Sequence, residues 1–577
     1  MKLARKLVDG AVLALPMVAS VAFAQGANYS PVTEARLQNP EAENWLMYRG
    51  NYGGWGYSPL DKINAGNVGK LQLAWSFSTG QVEGHQSPPV VNGRYMYITT
   101  PGSQVIAIDT KTGNELWRYK KEVSAEMLQL HPTNRGVALF GDRVYVATVD
   151  AHLVALDAKT GKEIWTKQVG DWKKLQYITL APLAAKGKIM VGSSGGETGV
   201  RGFVAAFDAQ TGAEAWRTYT TAAPGEPGGD TWPGESYKTG GASIWITGTY
   251  DPQTNLAFWG TGNPSPWPIH LRKGDNLYST SVIALDVDSG KLKGHHQYHQ
   301  NDAWDWDEVS APLLIDTTIN GKATKTAVHA GRNGYMWVLE RTADKINFIK
   351  AWPYVHNDVI TAIDSKTGRP TYDAAKTPGV GKAVNFCPSL WGGKDWPPEA
   401  YNPKTGLVYV PANNNLCSEL PGADEKVPYK AGDLFIGYPI DGVLGSLRYK
   451  DGKKPATVGE LQAWDIKTGK LAWVHKFPSF LWAPLLTTGG DLVFGGGTND
   501  RMFRAFDAKN GKMLWEGITP SGVTGVPSSF EVDGEQFIAV QSGWGVDAQR
   551  MQSGFDALGQ KMSVPQGGVL MVYKIGK

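Results

Sequence analysis

The chain has 577 residues, with 57 Lys and Arg against 54 Asp and Glu, a net charge of +3. So small a charge over so long a chain leaves no dense basic stripe and excludes a nucleic-acid partner. The length exceeds what one ordinary core supports, but a closed radial repeat reaches it as a single domain, and 70 Gly with 22 Trp suit an architecture of many tight turns and aromatic anchors.

In chain order, Lys2, Arg5 and Lys6 precede the apolar residues 11–22 and the sequence Ala22-Phe23-Ala24 before Gln25. A charged start, a short hydrophobic stretch and a small-x-small site predict a signal peptide over 1–24, too short to stay as a membrane anchor. The mature chain, 25–577, is then exported, with a bacterial periplasm as its expected place. A sequence pattern follows seven times: Ala, an apolar residue, Asp, two variable residues, Thr, Ser or Asn, then Gly. It reads AIDTKTGNELW at 107–117, ALDAKTGKEIW at 155–165, AFDAQTGAEAW at 206–216, AWDIKTGKLAW at 463–473 and AFDAKNGKMLW at 505–515; copies at Ala284 and Ala362 lack the Trp. Each copy predicts a β-hairpin: an apolar strand, a turn whose Gly takes positive φ, and a second strand ending in an aromatic. Repetition of one such unit predicts a propeller or solenoid.

Four clusters lie outside the repeat. Residues 193–199 form a Gly-rich loop around Glu197; 260–267 (GTGNPSPW) carry Asn263; 304–308 (WDWDE) put three carboxylates among aromatics; and 331–334 contain Arg332. Glu197, Asn263 and Asp305 offer oxygen ligands suited to a hard cation of the calcium type, and with no EF-hand loop the site must be assembled from several blades. His295, His296 and His299 read as an exposed polar strand. Cys387 and Cys417, exported and with no other cysteine to pair with, predict a disulfide. Gly543-Trp544-Gly545-Val546-Asp547-Ala548 matches a loose dinucleotide pattern but lacks the βαβ unit that gives it meaning. There is no phosphate-binding loop, nucleophile elbow or haem-attachment sequence.

From about Trp45 onward these clusters resemble the pyrroloquinoline quinone (PQQ) dependent alcohol dehydrogenases, the family of the methanol dehydrogenase large subunit. The resemblance implies an all-β, eight-bladed β-propeller locked by the repeated Trp residues, a count that degenerate copies such as YDPQTN at Tyr250 and YNPKTG at Tyr401 are expected to complete. It implies that Glu197 and Asn263 bind the metal beside the quinone, that Asp305 is the catalytic base, and that Arg332 hydrogen-bonds the quinone oxygens. Trp245 is then the ring on which the cofactor stacks, and Arg135, Thr179, Ser194, Gly195, Gly196, Ser243 and Trp482 are further cofactor contacts. Cys387 and Cys417 match a non-vicinal disulfide of the family. Three positions depart from its pattern: Gln129-Leu130 stand where adjacent cysteines usually lie over the quinone, Gln86 replaces a common Glu, and Asp395 replaces a common Asn.

The resulting expectation is an enzyme that oxidises an alcohol to an aldehyde or ketone and passes electrons to a separate cytochrome c, the chain having no haem attachment of its own. The alternatives are a quinoprotein acting on a sugar, polymer or bulky cyclic secondary alcohol, residues 421–454 forming a loop over the entrance, and a non-catalytic scaffold, which would have no reason to keep Glu197, Asn263, Asp305 and Arg332 together. A homodimer stays open. In a strand Asp305 and Asp307 would share a face; the family's lanthanide-dependent members resemble this chain in having Asp at the second position, so the metal is Ca²⁺ or a lanthanide ion, with Asp307 favouring the latter.

Overall fold

The computed structural model describes residues 29–439, 443 and 446–576, so the leader read at 1–24 lies outside the described residues. Among the described residues eight sheets of four or five strands follow one another along the chain, antiparallel except where Tyr57–Ser58 adds a parallel edge to the five-stranded one. The first runs from Val90–Asn92 to Glu115–Lys120, the next three within 137–168, 183–219 and 249–297, and the fifth within 313–353. The sixth spans 400–477, the seventh ends at Met513–Ile518, and the eighth is Ser528–Val532, Glu535–Gly543 and Gly568–Ile575 completed by Leu71–Ser78 from the other end of the chain. Antiparallel pairing of Leu71 with Ile575 through Ser78 with Val569 joins the two ends of the chain in one blade and so closes the ring, an arrangement that leaves only short, protected sheet edges.

The repeated pattern works in two directions. At 107–117 the Asp109 carboxylate accepts from the backbone N–H groups of Lys111 and Thr112, at 3.0 and 2.9 Å, and from the Thr112 hydroxyl, so the side chain imposes the turn. Gly113 follows at φ +74°. Trp117 then lies mid-strand, not at the strand end, and its Nε1 donates to the Ala158 carbonyl of the next blade (3.1 Å). Its ring covers Gly161, where an added Cβ would lie 2.4 Å from it. Trp216 repeats the contact on Val287 and Gly290, Trp473 on Ala508 and Gly511, and Trp75 covers Gly113, which completes the circle. The Trp of one copy therefore fits the Gly of the next because that Gly has no side chain, and the Gly is needed twice, for its φ and for its bare face.

Six of the seven copies join the outer two strands of a blade. The copy at Ala362 does not: it forms a separate hairpin of Ile360–Ile363 and Pro370–Tyr372, with Gly368 set against Phe348 and His296. The Tyr250 and Tyr401 copies join the inner two strands of blades already carrying a copy, so adding degenerate repeats does not give the number of sheets. The histidines also differ from expectation. Alternation in Leu292–Gln297 turns His296 into the core against Tyr298, Trp337 and Phe348, where burial pulls its pKa down to about 3. His299 is fully buried, 3.1 Å from Asp302 Oδ1.

Insertions after the fifth blade and inside the sixth build a small sheet, Val384–Phe386, Leu416–Leu420 and Leu447–Tyr449. Pairing of Phe386 with Ser418 brings Cys387 and Cys417 together, Cα atoms 4.3 Å apart, in a disulfide of sequence separation 30. Closing a loop of that size stabilises the fold by about 3 to 4 kcal/mol in the chain-entropy model. Mass measurement after alkylation of the unreduced protein should find neither thiol modified; two alkylated cysteines would contradict the bond.

Candidate active site

Each blade's innermost strand is entered by a connection at one end of the propeller axis, and its second strand exits at the same end. These connections carry the sequence-predicted residues. Arg135, Thr179, Trp245, Asp305 and Asp307, Asp395 and Trp482 precede inner strands; Ser194 to Glu197, Asn263 and Arg332 follow second strands. One fold therefore gathers residues that lie hundreds of positions apart.

They enclose a cavity of about 210 Å³ whose wall includes Arg135, Thr179, Ser194, Gly195, Glu197, Trp245, Asp305, Asp307, Arg332 and Asp395. Gly196, Ser243 and Asn263 lie directly behind: a Cβ on Gly196 would stand 3.1 Å from Ser243 Oγ and 3.3 Å from Asn263 Oδ1. Trp482 packs edge-on against Trp391 of the wall, ring centroids 5.5 Å apart. Gln86 stands off the wall, its amide oxygen buried and without a partner.

At one side of the cavity Glu197, Asp305 and Asp307 place one carboxylate oxygen each within 4.8 Å of one another. Arg332 spans the two aspartates, Nη2 to Asp305 Oδ2 and Nη1 to Asp307 Oδ2, both 3.3 Å, and lies 3.5 Å from Asp395 Oδ2. Burial alone would lower the Arg332 pKa, but these three carboxylates outweigh it and hold the guanidinium charged. Asp307 Oδ1 accepts from the Asn263 backbone N–H at 2.6 Å. Asp305 and Asp307 do turn their carboxylates toward one point, but not by strand alternation: residues 304–308 form no strand, and Asp305 sits at φ +60°, a left-handed conformation that turns its side chain to join Asp307. Glu308, the third carboxylate of the cluster, points the other way. Its oxygens accept from the backbone N–H groups of Arg332 and Asn333, at 3.0 and 3.1 Å, and so fix the loop that presents the guanidinium.

The donor set fits a hard, highly charged cation. Three carboxylates converge on one point, Asn263 is fully buried with both amide atoms unpartnered, and Asp305 Oδ1 also has no partner. Groups so buried are costly to leave unsatisfied, and oxygen donors of this kind are what calcium-like ions take. The remaining wall fits a flat, anionic, aromatic ligand. Trp245 offers a ring, the Arg135 guanidinium lies 5.0 Å from that ring and keeps Nε unpartnered, and Thr179 and Ser194 offer hydroxyls.

Burial pushes the Asp307 pKa up to about 8, Arg332 opposing and Glu197 reinforcing, and the same burial raises Asp305 well above its ordinary value. Without a cation the native state thus retains protons that the unfolded chain has released. The stability this contributes is present below the ordinary value of 3.8 and is lost as pH rises toward about 8. Thermal unfolding of metal-free protein should show a midpoint falling across that window, less steeply in Asp307→Asn, and metal uptake should release protons. A slope unchanged by Asp307→Asn would contradict the assignment.

Several wall residues were not among the sequence-predicted set, among them His131, Tyr177, Trp267, Trp391, Asp547 and Arg550. Asp547 opens the helix Val546–Ala557 with its carboxylate 3.0 Å from His131 Nδ1 and 3.8 Å from Arg550. Those partners and Arg135 outweigh burial and keep its pKa low. The only signal at this position was the false dinucleotide pattern. From the segment 421–454, Leu434, Ile436 and Val443 join the cavity wall, and the Phe435 N–H donates to the Glu197 carbonyl at 2.7 Å.

This combination, a closed β-propeller with an acidic cation centre beside an aromatic floor at one end of its axis, is that of a quinoprotein dehydrogenase. Residues 45–346 and 478–538 match the family model described as PQQ: Glucose/ethanol/alcohol dehydrogenase, beta-propeller domain, and the chain belongs to the quinoprotein alcohol dehydrogenase family. It is 39% identical to the quinoprotein alcohol dehydrogenase PedH of Pseudomonas putida over 98% of this chain and 97% of that one. It is 37% identical to the lanthanide-dependent methanol dehydrogenase of Methylacidiphilum fumariolicum, over 88% of this chain and 85% of that one. A solved structure of a europium-containing methanol dehydrogenase superposes with TM-score 0.87 at 34% identity, covering 94% of this chain and 99% of that one.

Proposed function

We propose that the chain is an exported, periplasmic dehydrogenase that oxidises an alcohol to an aldehyde or ketone with PQQ and a Ca²⁺ or lanthanide ion, and passes electrons to a separate cytochrome c. The observation that carries this is the pair of buried aspartates bridged by Arg332 at the rim of the Trp245 floor. Glu197, Asn263, Asp305 and Asp307 would hold the metal. Trp245 would stack the quinone, with Arg135, Thr179, Ser194, Gly195, Gly196 and Ser243 around it and Gln86, Asp395 and Trp482 behind or beside it. When bound, PQQ and its metal supply a polarised carbonyl that accepts hydride from the carbinol carbon. Asp305 takes the substrate hydroxyl proton at Oδ1, the oxygen left without a partner, while Oδ2 stays fixed by Arg332. Arg332 aims a permanent charge at the developing oxyanion.

The outer wall is largely apolar, with Trp267, Leu390, Trp391, Leu434, Ile436 and Val443, and Leu130 lies in it where the family usually has a cysteine pair. These residues support an alcohol with an apolar body larger than methanol. A dye-linked screen of primary, secondary, cyclic and sugar alcohols tests the reading: kcat/KM should rise with apolar chain length, and preference for a sugar would overturn the substrate class.

A further inference from the structure

Alcohol oxidation frees two protons and two electrons per turnover: the hydroxyl proton first, and a second proton once the two electrons have gone to a one-electron acceptor. The cavity wall includes Leu434, Ile436 and Val443, and an alcohol fills part of the space in turnover, so the route these protons take matters.

The connections that hold the site continue for a few residues into a second cavity. Thr179 is followed by Pro182, Trp245 by Ile246 to Thr249, Asp307 by Ser310, and Asp395 by Glu399; the later member of each series lines a space of about 40 Å³. Because these segments lead into the inner strands, this second space lies further along the axis from the site. It has room for about two to three waters.

Several buried polar groups stand on its otherwise largely apolar wall. Arg49 is buried, with Nη2 donating to the Glu399 and Leu485 carbonyls at 2.8 Å each, yet Nε and Nη1 have no partner. The Tyr48 hydroxyl and Glu399 Oε2 also lack a hydrogen-bond partner, although Oε2 lies 3.2 Å from Lys394 Nζ. Arg49 Nε, Arg49 Nη1 and the Tyr48 hydroxyl, three buried polar atoms with no protein partner around one small space, mark ordered water. One polar thread joins the space to the active-site cavity. Lys394 Nζ donates to the Asp395 carbonyl at 2.9 Å and to Ser310 Oγ at 3.2 Å, and Asp395 is itself in the cavity wall beside Arg332. Tyr48, beside Arg49 in the wall, is buried and its hydroxyl faces no protein partner. Glu399 faces Lys394, Arg49 and His329, with Tyr298 and Tyr354 also near.

We infer that the Tyr48, Arg49, Lys394 and Glu399 cluster forms a hydrated channel along the propeller axis through which protons released by alcohol oxidation leave the active site. Glu399 and the Tyr48 hydroxyl are its exchangeable groups, and Arg49 and Lys394 hold the water and the carboxylate in place. No bond to carbon is made or broken there: each proton that enters from the cavity side is matched by one that leaves to solvent. This inference rests on the function proposed above.

The test uses full-length protein loaded with PQQ and a lanthanide ion, in weak buffer with a pH-indicating dye and a one-electron acceptor. In the parent enzyme proton release should keep pace with acceptor reduction. In Glu399→Gln and in Tyr48→Phe, release and turnover should slow together by about 10²-fold, the low end of what losing a positioned proton carrier costs, with a larger solvent deuterium effect and an unchanged effect of deuterium at the carbinol carbon in single-turnover reduction of the cofactor. If Glu399→Gln does not fold, Lys394→Met combined with Glu399→Gln removes both charges of the pair and carries the same expectation. Parent-like proton release in the variants would overturn the channel. A crystal structure gives a reading independent of activity: water bonded to Arg49 Nε and Nη1 supports the channel, and a dry space overturns it. Should the parent oxidise no alcohol, the proposed function fails instead, and the crystallographic reading still stands.

Discussion

Asp305→Asn should lower alcohol-dependent dye reduction by roughly 10²- to 10⁴-fold, the usual range for loss of a positioned general base. The substitution keeps the shape of the side chain and an oxygen for Arg332 Nη2, now 3.3 Å from Oδ2, but removes the basic oxygen that faces the cavity. It also takes one negative charge from the cation centre, so the comparison is made at saturating metal with quinone uptake measured separately. Near-native turnover with quinone bound would show that the hydroxyl proton goes elsewhere.

Asp307→Ala should change which ion the protein uses. Glu197, Asp305 and Asp307 together bring three negative charges, which balance a trivalent ion; removing one leaves the complement of a divalent ion. The parent protein should bind a light lanthanide and be activated by it at least as well as by Ca²⁺. The variant should lose lanthanide affinity by at least the roughly 10- to 100-fold that follows loss even of an outer partner of a metal site, and lose much less for Ca²⁺. Arg332 keeps Asp305 and Asp395 after the change, while the Asn263 N–H loses its acceptor, so part of the cost will appear as stability. Titration of metal-free protein with each ion reads the preference, and equal losses for both ions would reject it.

What could be read before the fold was known depended on how local each signal is. The Asp-x-x-Thr-Gly turns are local chemistry, a carboxylate capping the N–H groups of the next residues, and they exposed the hairpins directly. The role of Gly161 as a landing place for Trp117 was only half legible, because the contact joins two blades. Glu197, Asn263, Asp305 and Arg332 stood out as a set because their clusters lie outside the repeat and together resemble the quinoprotein pattern, although singly each reads equally well as an ordinary turn or surface residue. The carboxylates of Asp305 and Asp307 do lie together, but not through the strand the sequence suggested; the left-handed backbone at Asp305 that brings them together has no signature in WDWDE. His131, Asp547 and Arg550 were missed because their contacts span some 400 positions and each looks like an ordinary surface residue. The Ala362 copy looked like a blade because a turn sequence does not record which strands lie beside it.

The most direct test of the account is reconstitution of metal-free, quinone-free protein with PQQ, a lanthanide or Ca²⁺, or both together, following tryptophan fluorescence and alcohol-dependent dye reduction. Quinone with metal should quench fluorescence and switch on dye reduction, either one alone should support no turnover, and Trp245→Ala should weaken quinone uptake. Alcohol-dependent dye reduction in the absence of quinone, or a protein that takes up no quinone when metal is present, would contradict it.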